Sequence, residues 1–246
     1  MAYLKLLLMR HAQSQGNVQR QMEGQSSTAL STVGWRQAQC LSNHLIEDLG
    51  AEDLSGWPTH LYSSPLLRAT QTADVLTAAL TQAQHSFSIQ PAEALQEMHQ
   101  GVFQGLTWSE AQAQHPQLCA QLLSSLRWQP VPQAETLTAA RARSLRWIQH
   151  LLSVHSPGDV VWMISHAGIL QQMIAVIMGC DRTWKIPIAH TAIFEFWLSA
   201  ALLEGDSQVL TAGAANRLPP TDCFNPEYWQ LRRFNDHSHL TGELSV

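Results

Sequence analysis

Apolar positions recur along this chain with two periods. Leu4–Met9 and Asp159–Ser165 ("DVVWMIS") are nearly continuous apolar runs of strand length, as expected for strands covered on both faces. His60–Ser63, Phe87–Pro91 and Ala192–Leu198 read as further strands, and Gln208–Thr211 as a late one. Helical spacing predicts helices over Thr32–Leu49, with Gly50 as the stop, Leu66–Leu80, Thr136–Val154 and Gly168–Met178. Thr107 is placed to cap a helix running toward His115-Pro116, and Pro130 and Pro132 separate it from the next. The polar segment Arg10–Thr28 reads as a long functional loop.

Strands alternating with helices predict one α/β domain over 1–246, a three-layer α/β/α sandwich with a mainly parallel central sheet. In such sheets the active groups gather at the carboxyl ends of the strands. Residues 106–157 are expected to form a helical roof over that rim.

Composition narrows the function. Charged residues make up 13% of the 246, the formal net charge is −5, and no basic face suited to nucleic acid is visible. The four cysteines, Cys40, Cys119, Cys180 and Cys223, stand far apart and predict reduced thiols rather than a zinc cluster or disulfide framework. No stretch approaches the roughly 18 apolar residues of a membrane span. A soluble, cytoplasmic protein with no membrane partner is the expectation.

The chemistry lies where the strands end. "LLLMRH" and "VWMISHAG" place His11 and His166 at two strand ends, and "HLYSSPLLRATQTA" puts Arg68 in the first turn of the next helix. Guanidinium forks complement phosphate oxygens, and a neutral imidazole is a competent nucleophile toward phosphorus. Arg10, Arg68 and a protonated His166 would spread charge on a transferring phosphoryl group that His11 attacks in line.

At these residues the sequence resembles the histidine phosphatase superfamily, the phosphoglycerate mutase-like family. "RHAQSQGN" is similar to its Arg-His-Gly motif, "SSPLLRATQTA" to its second-arginine segment, "LQEMHQGVFQGLTWSE" to its acid-bearing segment and "ISHAGIL" to its second-histidine segment. "QAETLTAARARSL" and "HTAIFEF" are weaker matches. The resemblance implies His11 as the phosphorylated nucleophile, Glu97 as proton donor, His166 as second imidazole, and Arg10, Arg68 and Asn17 as phosphate contacts. Glu93 is the alternative acid, and Asn17 and Ser14 the alternative of plain turn residues.

Two departures stand out. Ala12 replaces the motif's glycine, and Glu23 stands where related phosphatases often carry glutamine, so it either points away from phosphate or reads another part of the substrate. Trp108, Arg127 and Trp128 are candidates for the roof. The other ten histidines show no metal-ligand spacing, and His237 and His239 read as a solvated loop. No metal or other cofactor is expected.

The expected function is a phosphatase acting on a small phosphorylated metabolite. Phosphoglycerate mutase-type transfer is the alternative, and a catalytically silent phosphate-binding module a third reading. The stretch between Glu97 and His166 lacks the extra basic insertion that the resemblance associates with true mutases, and Arg141, Arg143 and Arg146 lie on a helix with an apolar side. The C-terminal 200–246 is too irregular to assign beyond an ordered loop bordering the site.

Overall fold

A computed structural model describes residues 2–48, 56–83, 85, 88–126, 129–180, 183, 186–199 and 226–245. Strand β1 (Tyr3–Arg10) is followed by α1 (Gln15–Val18), α2 (Thr32–Asp48), β2 (His60–Ser63), α3 (Leu67–Gln82) and β3 (Ile89–Pro91). Next come α4 (Trp108–Gln114), α5 (Pro116–Ser124), α6 (Leu137–Val154), β4 (Val160–Ser165), α7 (Ala167–Ile177), β5 (Ile193–Ser199) and β6 (Trp229–Asp236).

The strands form one mixed sheet in the order β3-β2-β4-β1-β5-β6. β1 and β2 each pair parallel with β4, β3 pairs parallel with β2, and β5 is antiparallel to both its neighbours. Five strands therefore share a direction and β5 alone is reversed, in agreement with the expected mainly parallel sheet. The carboxyl ends of β1, β2, β3, β4 and β6 meet the start of β5 at one rim. Arg10 pairs with Ser165 in the β1–β4 register, so His11 and His166 leave the sheet side by side.

The period of two along each strand builds the three layers. Leu6 and Leu8 of β1, with Val161 and Met163 of β4, pack under α6 and α7 through Leu145, Ile148, Leu151 and Ile169. Leu7 and Met9, with Val160, Trp162 and Ile164, pack under α2 and α3 through Leu41, Leu45, Ala73 and Leu76. All six residues of β4 are buried. Burying each large aliphatic side chain contributes roughly 1.5–3 kcal/mol, and this layer holds the rim rigid.

Several boundaries differ from the sequence expectation. The third strand is Ile89–Pro91, shorter than Phe87–Pro91. As expected, Thr107 caps α4, which ends at Gln114 just before His115-Pro116, and a further helix then opens on Pro116, where the missing N–H is harmless. The loop Arg10–Thr28 contains α1, closed by a capping box in which Ser14 Oγ accepts from the Asn17 amide and Asn17 Oδ1 from the Ser14 amide. The expected roof 106–157 divides in two: α4 and α5 pack on Phe103 and Met22, whereas α6 is a layer of the main core. The C-terminal region contributes an edge strand, β6, that its composition did not announce. Gln208–Thr211, Gly50, Arg127 and Trp128 lie outside the described residues. Among the described residues no helix is long and apolar enough to cross a membrane.

Candidate active site

His11 follows β1 and is 3% exposed. Its Nδ1 lies 2.7 Å from the Ala12 carbonyl, an acceptor only, so Nδ1 carries the proton. The lone pair is left on Nε2, which accepts from Arg68 Nε at 3.3 Å. Ala12 has no left-handed backbone: residues with positive φ are found elsewhere in the chain, and its methyl packs against Leu30 and Ala38. The motif's missing glycine thus carries no strain.

Arg68 enters from the first turn of α3 and is 1% exposed. Nη1 and Nη2 donate to the carbonyls of Ser26 and Gly24, both at 2.7 Å, which lashes the loop after α1 to His11. Arg10 Nη1 donates to the Ile188 carbonyl at 2.6 Å, an interaction made possible by the reversal of β5. Its Nε is buried without a partner. A buried orphan donor costs about 1–3 kcal/mol, which an incoming anion would recover.

His166, fully buried at the end of β4, sits with its ring 4.9 Å from that of His11. Ser64 Oγ accepts from the Leu66 amide and lies 2.8 Å from His166 Nε2. With the hydroxyl proton directed to Nε2, the imidazole proton resides on Nδ1, a buried atom with no partner. Arg10 and His166 thus each hold an unmatched polar atom in this cluster.

Glu97 follows β3 and the turn Glu93–Leu95. Its Oε2 accepts from the Gly168 amide at 2.9 Å, and Oε1 from the amides of Ile169 at 3.0 Å and Met98 at 2.9 Å. The carboxylate therefore sits on the first turn of α7, where the helix dipole favours it. Residue 168 must be glycine for this approach: a Cβ there would stand 2.6 Å from Oε1. Arg143 holds the segment in place by donating to the carbonyls of Ala94 and Gln96 while pairing with Glu135 at 2.6 Å. Glu93, by contrast, is exposed and bonded to Gln96.

A cavity of about 220 Å³ is lined by Arg10, His11, Asn17, Glu23, Arg68 and Glu97 among others. Asn17 reaches it, but its Nδ2 donates to Glu23 Oε2 at 2.8 Å. Glu23 does not point away. Its carboxylate is 6% exposed, accepts from the hydroxyls of Ser14 and Thr28, and lies 3.8 Å from Arg68 Nε. It orients Arg68 and offsets part of its charge. Among the described residues none from 106–157 lines the cavity, and Trp108 packs on Phe103 instead.

Electrostatics favour a neutral nucleophile. Burial, reinforced by His166, Arg68, Arg10 and His190, holds the His11 imidazole well below its usual range. Burial and the guanidinium groups of Arg68, Arg10 and Arg143 do the same for His166, so the protein alone keeps that ring neutral rather than protonated. Burial lowers Arg10 to about 10, which leaves it charged at neutral pH. His190, 6.2 Å from His11, is pushed down to about 3 by burial and by Arg10. Sequence reasoning missed His190, Ser64 and Thr28, each an ordinary polar residue whose role appears only when the rim is assembled. His237 and His239 are half-buried rather than solvated, and His239 Nε2 bonds with Thr191 Oγ1 at 2.8 Å.

The chain is 29% identical over 185 residues to a metal-independent phosphoserine phosphatase of Arabidopsis thaliana, covering 74% of this chain and 72% of that one. Mycobacterial relatives 27% identical over 201 residues are longer, and the chain spans about half of them, 51%. The alpha-ribazole phosphatase of Shigella flexneri shares the fold with a TM-score of 0.69 at 20% identity, covering 95% of this chain and 97% of that one. A mycobacterial glucosyl-3-phosphoglycerate phosphatase does so with a TM-score of 0.64 at 22% identity, covering 95% and 99%. The chain also matches the family profile over residues 6–200, and with the rim of histidines and arginines in the expected order it belongs to the histidine phosphatase superfamily, branch 1.

Proposed function

We propose that this protein is a metal-independent phosphatase that hydrolyses a small phosphomonoester through a phosphohistidine at His11. The observation that carries the reading is the tautomer of His11. A neutral imidazole whose Nδ1–H is held by the Ala12 carbonyl presents its Nε2 lone pair beside Arg68, within a cavity that Arg10 also lines.

In the first step Nε2 attacks phosphorus as the P–O bond to the alcohol breaks, and Glu97, entering with a proton, passes it to the departing oxygen. In the second, Glu97 takes a proton from water, the resulting hydroxide attacks phosphorus, and the P–N bond breaks to release inorganic phosphate and neutral His11. Glu97 ends as it began. Arg10, Arg68 and the His166 Nδ1–H stabilise the charge on the equatorial oxygens, each such donor contributing about 2.7–4 kcal/mol. Asn17 and Glu23 set the position of Arg68, and the dianion arriving beside His166 favours its protonation.

The organic part of the substrate extends into a second cavity of about 400 Å³ that shares Arg10 and is lined by Ile188, His190, Asn235 and His237. The α4–α5 pair, bridged to Gln21 through Thr107, braces the wall segment Gln21–Met22 from outside the cavity. The relatives named above act on phosphoserine, glucosyl-3-phosphoglycerate and alpha-ribazole phosphate, small phosphorylated metabolites that suit this pair of cavities. The deciding experiment is phosphate release from a panel of phosphomonoesters in EDTA, run beside a coupled phosphoglycerate isomerisation assay. Release that vanishes in His11→Ala supports the phosphatase; isomerisation without release assigns a mutase, and neither activity assigns a silent phosphate-binding module.

A further inference from the structure

The rim opposite the active site carries its own cluster. His60 opens β2, His155 follows the last turn of α6, and Asp159 immediately precedes β4. The rings of His60 and His155 are 4.3 Å apart, His155 Nδ1 lies 3.5 Å from Asp159 Oδ2, and one ligating atom from each of the three falls within 4.8 Å of the others. Along β4 the cluster is roughly 20 Å from the nucleophile, at about 3.3 Å per residue.

Each of the three is oriented by a neighbour. Tyr62 Oη lies 3.2 Å from His155 Nε2, which leaves Nδ1 facing Asp159, and a cation there would take the place of the Nδ1 proton. That Nδ1 is buried in a side chain only 2% exposed and has no hydrogen-bond partner. Thr59 Oγ1 accepts from the Val160 amide at 3.0 Å and lies 2.9 Å from His60 Nδ1, which orients that ring. The Ser156 amide donates to Asp159 Oδ2 at 2.9 Å and fixes the carboxylate. A histidine whose second nitrogen is held by a hydroxyl, beside a fixed carboxylate, is the arrangement that orients metal ligands.

We propose that His60, His155 and Asp159 form a three-ligand site for a zinc-class divalent cation that pins the starts of β2 and β4 to the end of α6. Zinc binds imidazole nitrogen and carboxylate oxygen at about 2.0–2.2 Å in tetrahedral geometry, which sets neighbouring ligand atoms roughly 3.3–3.5 Å apart. The Nδ1–Oδ2 separation already meets that spacing. His60 and Asp159 are partly exposed, which gives the cation a path in and leaves a fourth position for water. The site is structural and takes no part in phosphoryl transfer, so it is independent of the activity proposed above.

The test is Zn²⁺ titration by calorimetry of the EDTA-treated, desalted full chain, with thermal melts alongside. Wild type and His11→Ala are each expected to bind one tight equivalent and to gain roughly 5–10 °C in Tm at a hundredfold excess over Kd. Asp159→Asn and His60→Ala, both partly exposed and melting near the metal-free wild type, are expected to weaken that equivalent at least a hundredfold and to lose the Tm gain. Equal binding by wild type and both variants overturns the proposal. So does an equivalent that disappears only in His11→Ala, which would place the cation at the catalytic histidines.

Discussion

Gly168→Ala tests the placement of Glu97 without touching any reacting group. The added Cβ would stand 2.6 Å from Oε1, where contacts of about 3.5 Å are normal, so the carboxylate must retreat by about 0.9 Å. The bonds from the Gly168 and Ile169 amides, 2.9 and 3.0 Å, then exceed hydrogen-bonding range. Losing two bonds to a charged group at this half-exposed position costs about 3 kcal/mol, offset by about 1 kcal/mol from alanine's better helix propensity. The fold should survive with Tm lower by only a few degrees. Catalysis should not, because a misplacement near 1 Å costs about 100-fold in rate. With an alkyl phosphate, whose leaving oxygen needs a proton, steady-state turnover is expected to fall about 100-fold. With p-nitrophenyl phosphate the first step needs no acid, so stopped-flow should show a burst of one equivalent of nitrophenolate followed by slow turnover, since Glu97 also activates the water. A variant at wild-type rate, or one slowed equally on both substrates with no burst, would refute the assignment of Glu97 as acid and base.

Other substitutions probe the remaining parts of the rim. Arg68→Lys removes a fork that serves His11 and two loop carbonyls at once, and is expected to lower kcat/KM about 100- to 1000-fold, which initial-rate kinetics would show. Glu23→Gln removes a carboxylate from the cavity wall, and inorganic phosphate should then inhibit about five- to tenfold more tightly, read as Ki. Because the His11 imidazole titrates well below its usual range, the acid limb of kcat/KM from this group should lie below pH 6.5; a limb centred at 6.5–7 contradicts a buried nucleophile. His190 and His239 titrate near 3 and 4 in the fold but near 6.5 when unfolded. The unfolded chain therefore takes up more protons on acidification, so Tm should fall from pH 7 toward 4, and His190→Asn should flatten that decline.

Much of this was legible before any coordinates. Continuous apolar runs of strand length read as strands buried on both faces, and two of them end in Arg10-His11 and His166, which made these residues candidates to meet at one rim. Arg68 was placed by the strand-then-helix pattern, but Glu97 needed the resemblance, since neither spacing nor composition separates it from Glu93; the amides of α7 do. Glu23 was misleading as a sequence letter, because its repulsion of phosphate is answered by Ser14, Thr28, Asn17 and Arg68, contacts set by the loop's own path. β6 was missed because "WQLRRFND" mixes charge with apolar residues, as an edge strand half open to water does. The His60–His155–Asp159 cluster escaped for the opposite reason to a motif: His60 is distant in sequence from the other two and meets them only where β2 and β4 pair.

The two borders of the sheet carry a consequence for how copies of this chain behave toward each other. β3 is three residues long and closes on Pro91, which has no amide proton to donate. β6 is longer, but it pairs with β5 through register shifts that bend it, and its exposed Arg232 lies over the Trp197 ring. Neither border offers a flat, uncharged ladder onto which a second chain could zip. At high concentration the sheet is thus guarded against edge-to-edge polymerisation by its outermost strands, one ended by proline and the other bent and carrying an exposed charge.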